Sequence, residues 1–249
     1  MNTNRVFGWI KDSIDLKDRK LTLIARINPP YVDLRAKDTP IMDQSNCGSC
    51  TGNSSVAMYD YEHVNEGFGE FRGSRLFVYY NARKIEGTVN EDSGAMLRDC
   101  LKTLGTGSKG KGVCAETLWP YDVSKFANKP SCSCYSAAKK DQAIEYLAVE
   151  QTEMQLKGCL ADGHPFVFGF TVYSNFMNIG SDGIMEMPKG SEEGGHAVLC
   201  VGYDDSRQVY IVRNSWGDSW GSKGYFFMPY TYMHDQSLCD DFWSIRKCE

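Results

Sequence analysis

Midway along its 249 residues the chain changes periodicity. From Cys50 to about Val64 the sequence is compatible with a helix, with Val56, Ala57, Met58 and Tyr61 as candidate buried positions. Two more helical stretches follow near Ser74–Lys84 and Gly94–Leu104. Beyond these, Phe166–Val172, His196–Tyr203, Val209–Arg213 and Gly224–Met228 read as strands, and Asp204-Asp205-Ser206-Arg207 has the chemistry of a hairpin turn. Helices first and strands later predict an α+β chain of two subdomains, with the cleft between them as the natural ligand site. Asn28-Pro29-Pro30 punctuates the chain ahead of both, because successive prolines resist helix and central strand. The expected division is a leader over residues 1–28 and a folded domain over 29–249. Within that domain, residues about 45–135 are expected to be mainly helical and about 136–235 mainly β, with the C-terminal segment packing back.

Composition narrows the functions. A formal net charge of -5 leaves no basic footprint, so nucleic acid is not an expected partner. No apolar stretch approaches the roughly 18 residues a membrane span needs. Ten cysteines lean toward an oxidising compartment and disulfides, whereas Val6–Ile10 is too short for the core of an export signal, so localisation stays open. Cys132-Ser133-Cys134 lacks the second spaced pair a zinc site requires and is expected in disulfides instead. Gly105-Thr106-Gly107-Ser108-Lys109-Gly110-Lys111 mimics a phosphate loop, but Gly112 stands where Ser or Thr should follow the lysine, and a flexible loop is expected. His164, before Pro165 at a strand start, is expected to be structural. No metal and no cofactor is implied, and a monomer is expected.

The segment richest in chemistry is Gln44-Ser45-Asn46-Cys47-Gly48-Ser49-Cys50, which runs into the first expected helix. A cysteine is a useful nucleophile only as thiolate, and a helix N-terminus favours an anion there. Gln44, six residues upstream, has a side-chain amide able to return to the same spot as a donor. A second segment, Gly194-Gly195-His196-Ala197-Val198, opens an expected strand, and its glycines leave room for a substrate backbone. In a third, Asn214-Ser215-Trp216-Gly217, the Asn carbonyl can fix an imidazole's tautomer and the Trp can shield that hydrogen bond from water. Each residue also has a plainer reading: a buried thiol, a structural histidine, a turn residue, a core indole.

These three segments in this order resemble the papain/cathepsin family of cysteine peptidases. His196 falls within the roughly 130–150-residue separation from the nucleophile that the family shows, and Asn214 lies somewhat beyond it. Pro30-Tyr31-Val32-Asp33-Leu34-Arg35, Trp119-Pro120-Tyr121 and Asp218-Ser219-Trp220-Gly221 resemble further family segments, so the likeness spans roughly Pro30 to the C-terminus. It implies a papain-like fold: a helical left subdomain, a β-barrel-like right subdomain and an active-site cleft between them. It also implies endopeptidase chemistry on peptide or protein substrates. Cys50 and His196 would form a thiolate–imidazolium pair, Gln44 and the Cys50 amide would hold the oxyanion, and Asn214 would orient the ring beneath Trp216. Ser93-Gly94 resembles the pair that binds substrate backbone, and the pocket for the second residue upstream of the cut would involve Met96, Gly169 and Ala197, with Gly195 beside the histidine.

The departures are specific. Thr51 replaces the usual aromatic residue after the nucleophile, and Gly195 stands where papain has Asp. No cysteine occurs in Glu86–Ser93, so Cys47 must find another partner or stay reduced. The four histidines, His63, His164, His196 and His234, include no adjacent pair resembling the cathepsin B occluding loop, which favours endopeptidase activity. An acyl transferase with the same nucleophile and an inactive peptide-binding relative are the alternatives. Residues 1–28 are shorter than the family's globular propeptide, yet fully extended they reach roughly 90 Å. Phe7, Trp9 and Ile10 in this otherwise polar leader suggest an intramolecular inhibitor lying along the cleft, as in a zymogen, with a disordered or surface-packed tail as the plainer reading.

Overall fold

The computed structural model describes residues 5–24 and 27–249; of the leader, residues 1–4 and 25–26 therefore lie outside the described residues. In chain order the elements are β1 (Trp9–Ile10), β2 (Tyr31–Asp33), α1 (Cys50–Asn65), α2 (Arg75–Glu86), β3 (Ala95–Met96), α3 (Leu97–Leu104), α4 (Cys132–Ala138) and β4 (Ala143–Ala148). Then come α5 (Glu153–Ala161), β5 (Phe166–Tyr173), β6 (Glu192–Asp204), β7 (Val209–Arg213), β8 (Tyr225–Pro229), α6 (Tyr230–Met233) and β9 (Cys239–Cys248).

Every residue of α1 from Cys50 to Glu62 is buried, which is why its sequence shows no single apolar stripe. It lies between α2 and α3 on one side and β6 and β9 on the other. Ser74 caps α2 by accepting from the Phe77 amide, and Gly87 ends it at φ 81° in the left-handed region. The helix expected over Gly94–Leu104 is shorter, beginning at Leu97. Ala95 and Met96 are instead a strand, because their backbone pairs in parallel with Trp9 and Ile10.

The large sheet runs β4-β9-β5-β6-β7-β8, all neighbours antiparallel, with β2 added on β6. Alternation sorts its faces. Val167, Ala197, Leu199, Val201 and Ile245 join the helical core, whereas Phe166, Phe168, Phe170, Val198 and Cys200 form a second core on the far side. The hairpin turn occupies Asp205–Gln208, one residue later than expected, and Asp204 Oδ1 accepts from the Ser206 amide at 2.9 Å. β4 and β9 carry no strand signal in the sequence; β9 is interrupted by charges and takes its strand form from partners on both sides.

All ten cysteines are free thiols, a correction to the expected disulfides. Cys134 is buried whereas Cys132, two positions earlier on α4, is exposed, so the helix turns them apart. Cys47 faces the Asp92 carboxylate, 3.5 Å away, in place of a second sulfur.

Candidate active site

Cys50 is the first residue of α1, buried at the end of the helix that meets β6. The backbone amides of Ala197 and Gly8 point at its sulfur. Beside it the Gln44 side chain is held at both ends. Its Oε1 accepts from Ser215 Oγ at 2.6 Å, and its Nε2 donates to Cys47 O at 3.0 Å and to Val6 O at 3.1 Å. The Gln44 amide donates to Ser215 O at 2.8 Å, and Tyr121 OH to Gln44 O at 2.9 Å, so this loop is tied to the segment that carries Asn214.

His196 sits on β6 opposite Phe170 of β5, fully buried. Its Nε2 lies 2.8 Å from Asn214 Oδ1. That oxygen also accepts from the Ser215 backbone N–H at 2.8 Å, which fixes the amide orientation and makes Nε2 the protonated nitrogen. Nδ1 is left as the acceptor, buried and without a partner. Trp216 lies against the ring, centroids 5.2 Å apart, and is backed in turn by Phe176 and Trp220.

The leader crosses this constellation. Arg5 donates to Asp43 Oδ1 at 2.6 Å and to Trp216 O at 3.3 Å. Phe7 meets the rings of His196 and Trp216 at 6.0 and 6.3 Å. Gly8 passes so close to Gly48 that a Cβ on it would fall 1.7 Å from Gly48 O, a contact only glycine permits. Gly8 O accepts from the Ala95 amide at 2.9 Å. The Trp9 indole lies over Gly169 and Gly195, where a Cβ on Gly169 would be 1.9 Å from the ring, and its Nε1 donates to Asp241 Oδ2 at 2.9 Å. Ile14 and Leu16, further along the leader, point to solvent.

This cover changes the electrostatics. Burial pushes the Cys50 thiol up to about 11, against the opposing backbone amides, and pulls the His196 imidazole down to about 4, with Arg5 adding to the effect. Both groups are therefore neutral at pH 7 beneath the leader, unlike the ion pair that the family resemblance implies.

Cys50, Gln44, His196, Asn214 and Trp216 thus come together, with Gly94, Gly169, Gly195 and Ala197 around them. Gly169 and Ala197 are cross-strand partners, and half-buried Met96 pairs with Ile10. Ser93 does not join them: it is exposed at the rim, its Oγ reaching only Gly94 O at 3.4 Å. Thr51 is buried beside Cys100, inside the helical core. His164 pairs with Glu62 at 2.9 Å, on α1 well past its start. Sequence reasoning missed Ser215, Tyr121 and Asp92. Ser215 and Tyr121 stand inside segments already singled out, and a hydroxyl beside a buried amide was the available signal. Among the described residues no group of three or more His, Cys, Asp or Glu is placed to hold a metal ion, and no helix is long and apolar enough to cross a membrane.

Comparison with known proteins identifies the family. A family profile described as papain family cysteine protease matches residues 28–240. An uncharacterized peptidase C1-like protein of Acanthamoeba polyphaga mimivirus is 37% identical over 276 residues, covering 98% of this chain and 88% of its own. A cathepsin B-like protein of Giardia intestinalis is 32% identical over 196 residues, 75% of this chain and 62% of its own. The crystal structure of xylellain, a cysteine protease from Xylella fastidiosa, superposes with a TM-score of 0.90 at 42% identity, over 98% of this chain and 97% of that one. The α+β architecture is the papain-like fold, and the chain belongs to the papain family of cysteine proteases.

Proposed function

We propose that this peptidase cuts internal peptide bonds with Cys50 as nucleophile and His196 as its proton partner, and that residues 5–12 hold it latent. The observation that carries the reading is the hydrogen bond from His196 Nε2 to Asn214 Oδ1. It leaves Nδ1 as a buried acceptor on the strand whose next amide, that of Ala197, faces the Cys50 sulfur.

With the cleft open to water, the cost of charging the pair falls, and the positive end of α1 favours a thiolate. The Cys50 proton moves to His196 Nδ1 and the sulfur attacks the scissile carbonyl. The oxyanion is held by the Cys50 backbone N–H and the Gln44 amide; one such donor is typically worth about 10²–10³ in rate. His196 then protonates the leaving amine and takes a proton from the water that releases the acyl group. Asn214 keeps the ring aligned throughout, and Trp216 keeps water from their hydrogen bond. Substrate backbone lies along Gly94, and the side chain preceding the cut residue enters the recess of Met96, Gly169, Gly195 and Ala197. Ser93 serves only as rim.

The leader blocks each of these parts. Val6 O takes the Gln44 N–H, Gly8 lies on the sulfur, and Trp9 fills the recess. Its direction also protects it. Trp9 follows Gly8 in the chain, whereas a substrate would place in that recess a residue preceding the bond to be cut.

The test is turnover of a broad peptide library by the full chain, by a chain starting at Pro29, and by each with Cys50→Ala. The expected outcome is hydrolysis by the Cys50 forms alone, fastest in the shortened chain. Activity surviving Cys50→Ala would move the chemistry elsewhere, joined rather than hydrolysed products would make the enzyme an acyl transferase, and equal rates with and without the leader would remove the latency.

A further inference from the structure

We propose that Asp92 is a positioning residue for peptide hydrolysis: its carboxylate fixes the Cys47–Gly48 peptide that aims Gln44 and, through Tyr79, joins it to the Gly94 backbone across the cleft. This rests on the assignment of Cys50 and Gln44 above.

The Cys47–Gly48 peptide is gripped from both sides. Its carbonyl accepts from Gln44 Nε2 at 3.0 Å, and its N–H donates to Asp92 Oδ2 at 2.9 Å and Oδ1 at 3.1 Å. Tyr79 OH donates to Asp92 Oδ1 at 2.6 Å and accepts from the Gly94 N–H at 3.0 Å. One carboxylate therefore connects the loop that delivers Cys50 to the backbone at Gly94, immediately before β3. Hydrogen bonds to a charged acceptor are roughly twice as strong as neutral ones, so the link is stiff.

The platform beneath it is fixed as well. Arg83, fully buried on α2, donates to Val89 O at 3.0 Å and Glu91 O at 2.7 Å, and stacks 3.9 Å over Tyr79. Cys47 completes the cluster, its sulfur 3.5 Å from Asp92 Oδ1. Burial and the Asp92 charge push that thiol up to about 12, so it stays a neutral S–H donor. Cys47 thus has a carboxylate for a partner, and the link needs no oxidant to form and survives reductant.

The consequence falls on Gln44. Its amide nitrogen has two hydrogens. One is spent on Cys47 O, and that bond aims the other into the cleft, where Val6 O now sits. If the Cys47–Gly48 peptide rotates, the second hydrogen loses its aim, and small misplacements of this kind are costly in rate.

The test compares two reactions of the full-length chain: hydrolysis of a peptidyl amide, and alkylation of Cys50 by iodoacetamide, located by peptide mass. Both require the leader to lift and the thiolate to form, but only hydrolysis uses the oxyanion donors. The ratio of kcat/KM to the alkylation rate is expected to fall about 10- to 100-fold in Asp92→Ala. It should fall less in Asp92→Asn, which keeps one acceptor oxygen and nearly the same shape, and which carries the test alone if the alanine variant does not fold. Tyr79→Phe cuts only the branch to Gly94, so it should raise KM several-fold and spare kcat. A ratio unchanged within about twofold in the Asp92 variants, or hydrolysis and alkylation falling together, overturns the proposal. A wild-type chain alkylated at Cys50 that turns over no peptide overturns the peptidase assignment itself.

Discussion

The Val6 carbonyl oxygen sits 3.1 Å from Gln44 Nε2, on the one hydrogen of that amide not committed to Cys47. A backbone carbonyl there stands where the proposed oxyanion would lie, so under the proposed latency the leader would compete with substrate for a donor as well as for space. Trp9 is the residue that would anchor it: its ring covers Gly169 and Gly195 and its Nε1 reaches Asp241. Trp9→Ala in the full-length chain is expected to raise kcat/KM on small peptides at least about tenfold. Truncating a large aromatic in a filled recess typically costs about 3–5 kcal/mol, far more than that change requires. Steady-state rates of wild type, Trp9→Ala and the chain starting at Pro29 decide it. A variant no faster than wild type would leave Trp9 without a part in latency.

Desolvation gives a second signature. In the covered state the thiol is pushed up to about 11 and the imidazole down to about 4. Alkylation of Cys50 in the full-length chain must wait for the leader to lift and the pair to ionise, so it is expected to stay slow near pH 5. Without the leader the solvated pair regains its charges, and alkylation should already be fast at that pH. Stopped-flow alkylation from pH 4 to 10 measures both curves, and coincident curves would mean that the cover does not disarm the pair.

The residues brought together in the cleft were legible because each has a local reason to stand where it does. A thiol stands at a helix start, a side-chain amide just past a strand, and glycines where another backbone approaches. β9 was not legible. Asp240, Asp241, Arg246 and Lys247 break its alternation, and only β4 and β5 on either side make it a strand. The Gly94 segment misled for a related reason. Its helical pattern yields at Ala95 and Met96 to pairing with a strand 86 residues earlier. Asp92 left no trace either, since its partners Gly48 and Tyr79 come from separate elements and three-dimensional structure alone assembles them.

The docked leader also carries a pH dependence of its own. Asp12 lies against Asp241: its amide donates to Asp241 Oδ2 at 2.8 Å, while Trp243 Nε1 donates to Asp12 Oδ2 at 2.9 Å. Burial holds both carboxyls well above their usual range; repulsion from Asp241 adds to this at Asp12 and from Asp240 at Asp241, while Arg98 and Trp243 oppose it at Asp12 and the Asp12 amide, Trp9 and Lys11 oppose it at Asp241. A carboxyl whose docked-state pKa is raised binds its proton more tightly when docked. Docking is therefore strongest in acid and weakens as pH rises toward neutrality. The full-length chain, relative to the chain starting at Pro29, is expected to lose latency between pH 5 and pH 8 (about several-fold). Asp12→Asn keeps the acceptor oxygen but removes the repulsion, so it should stay latent at pH 8. A latency ratio flat across this range in wild type would dismiss the pair as a determinant of docking.

Stability away from the cleft should follow Asp60. It is fully buried on α1, Oδ1 accepting from the Gly73 amide at 2.9 Å and Oδ2 unpartnered, and burial pushes its carboxyl up to about 8. With the folded-state value above the unfolded one near 3.8, its contribution is fully present below that value and lost as pH rises through about 8. Across that window a single such group steepens the fall in unfolding free energy by up to about 1.4 kcal/mol per pH unit. Asp60→Asn retains the acceptor for Gly73 and cannot ionise. Urea midpoints at pH 5 and pH 8 should therefore differ markedly in wild type and much less in Asp60→Asn. At pH 8 the variant is expected to be the more stable protein, because it replaces a buried group that must either hold a proton against its tendency to lose it or carry an uncompensated charge. Parallel pH profiles for the two proteins would place the dependence on other groups.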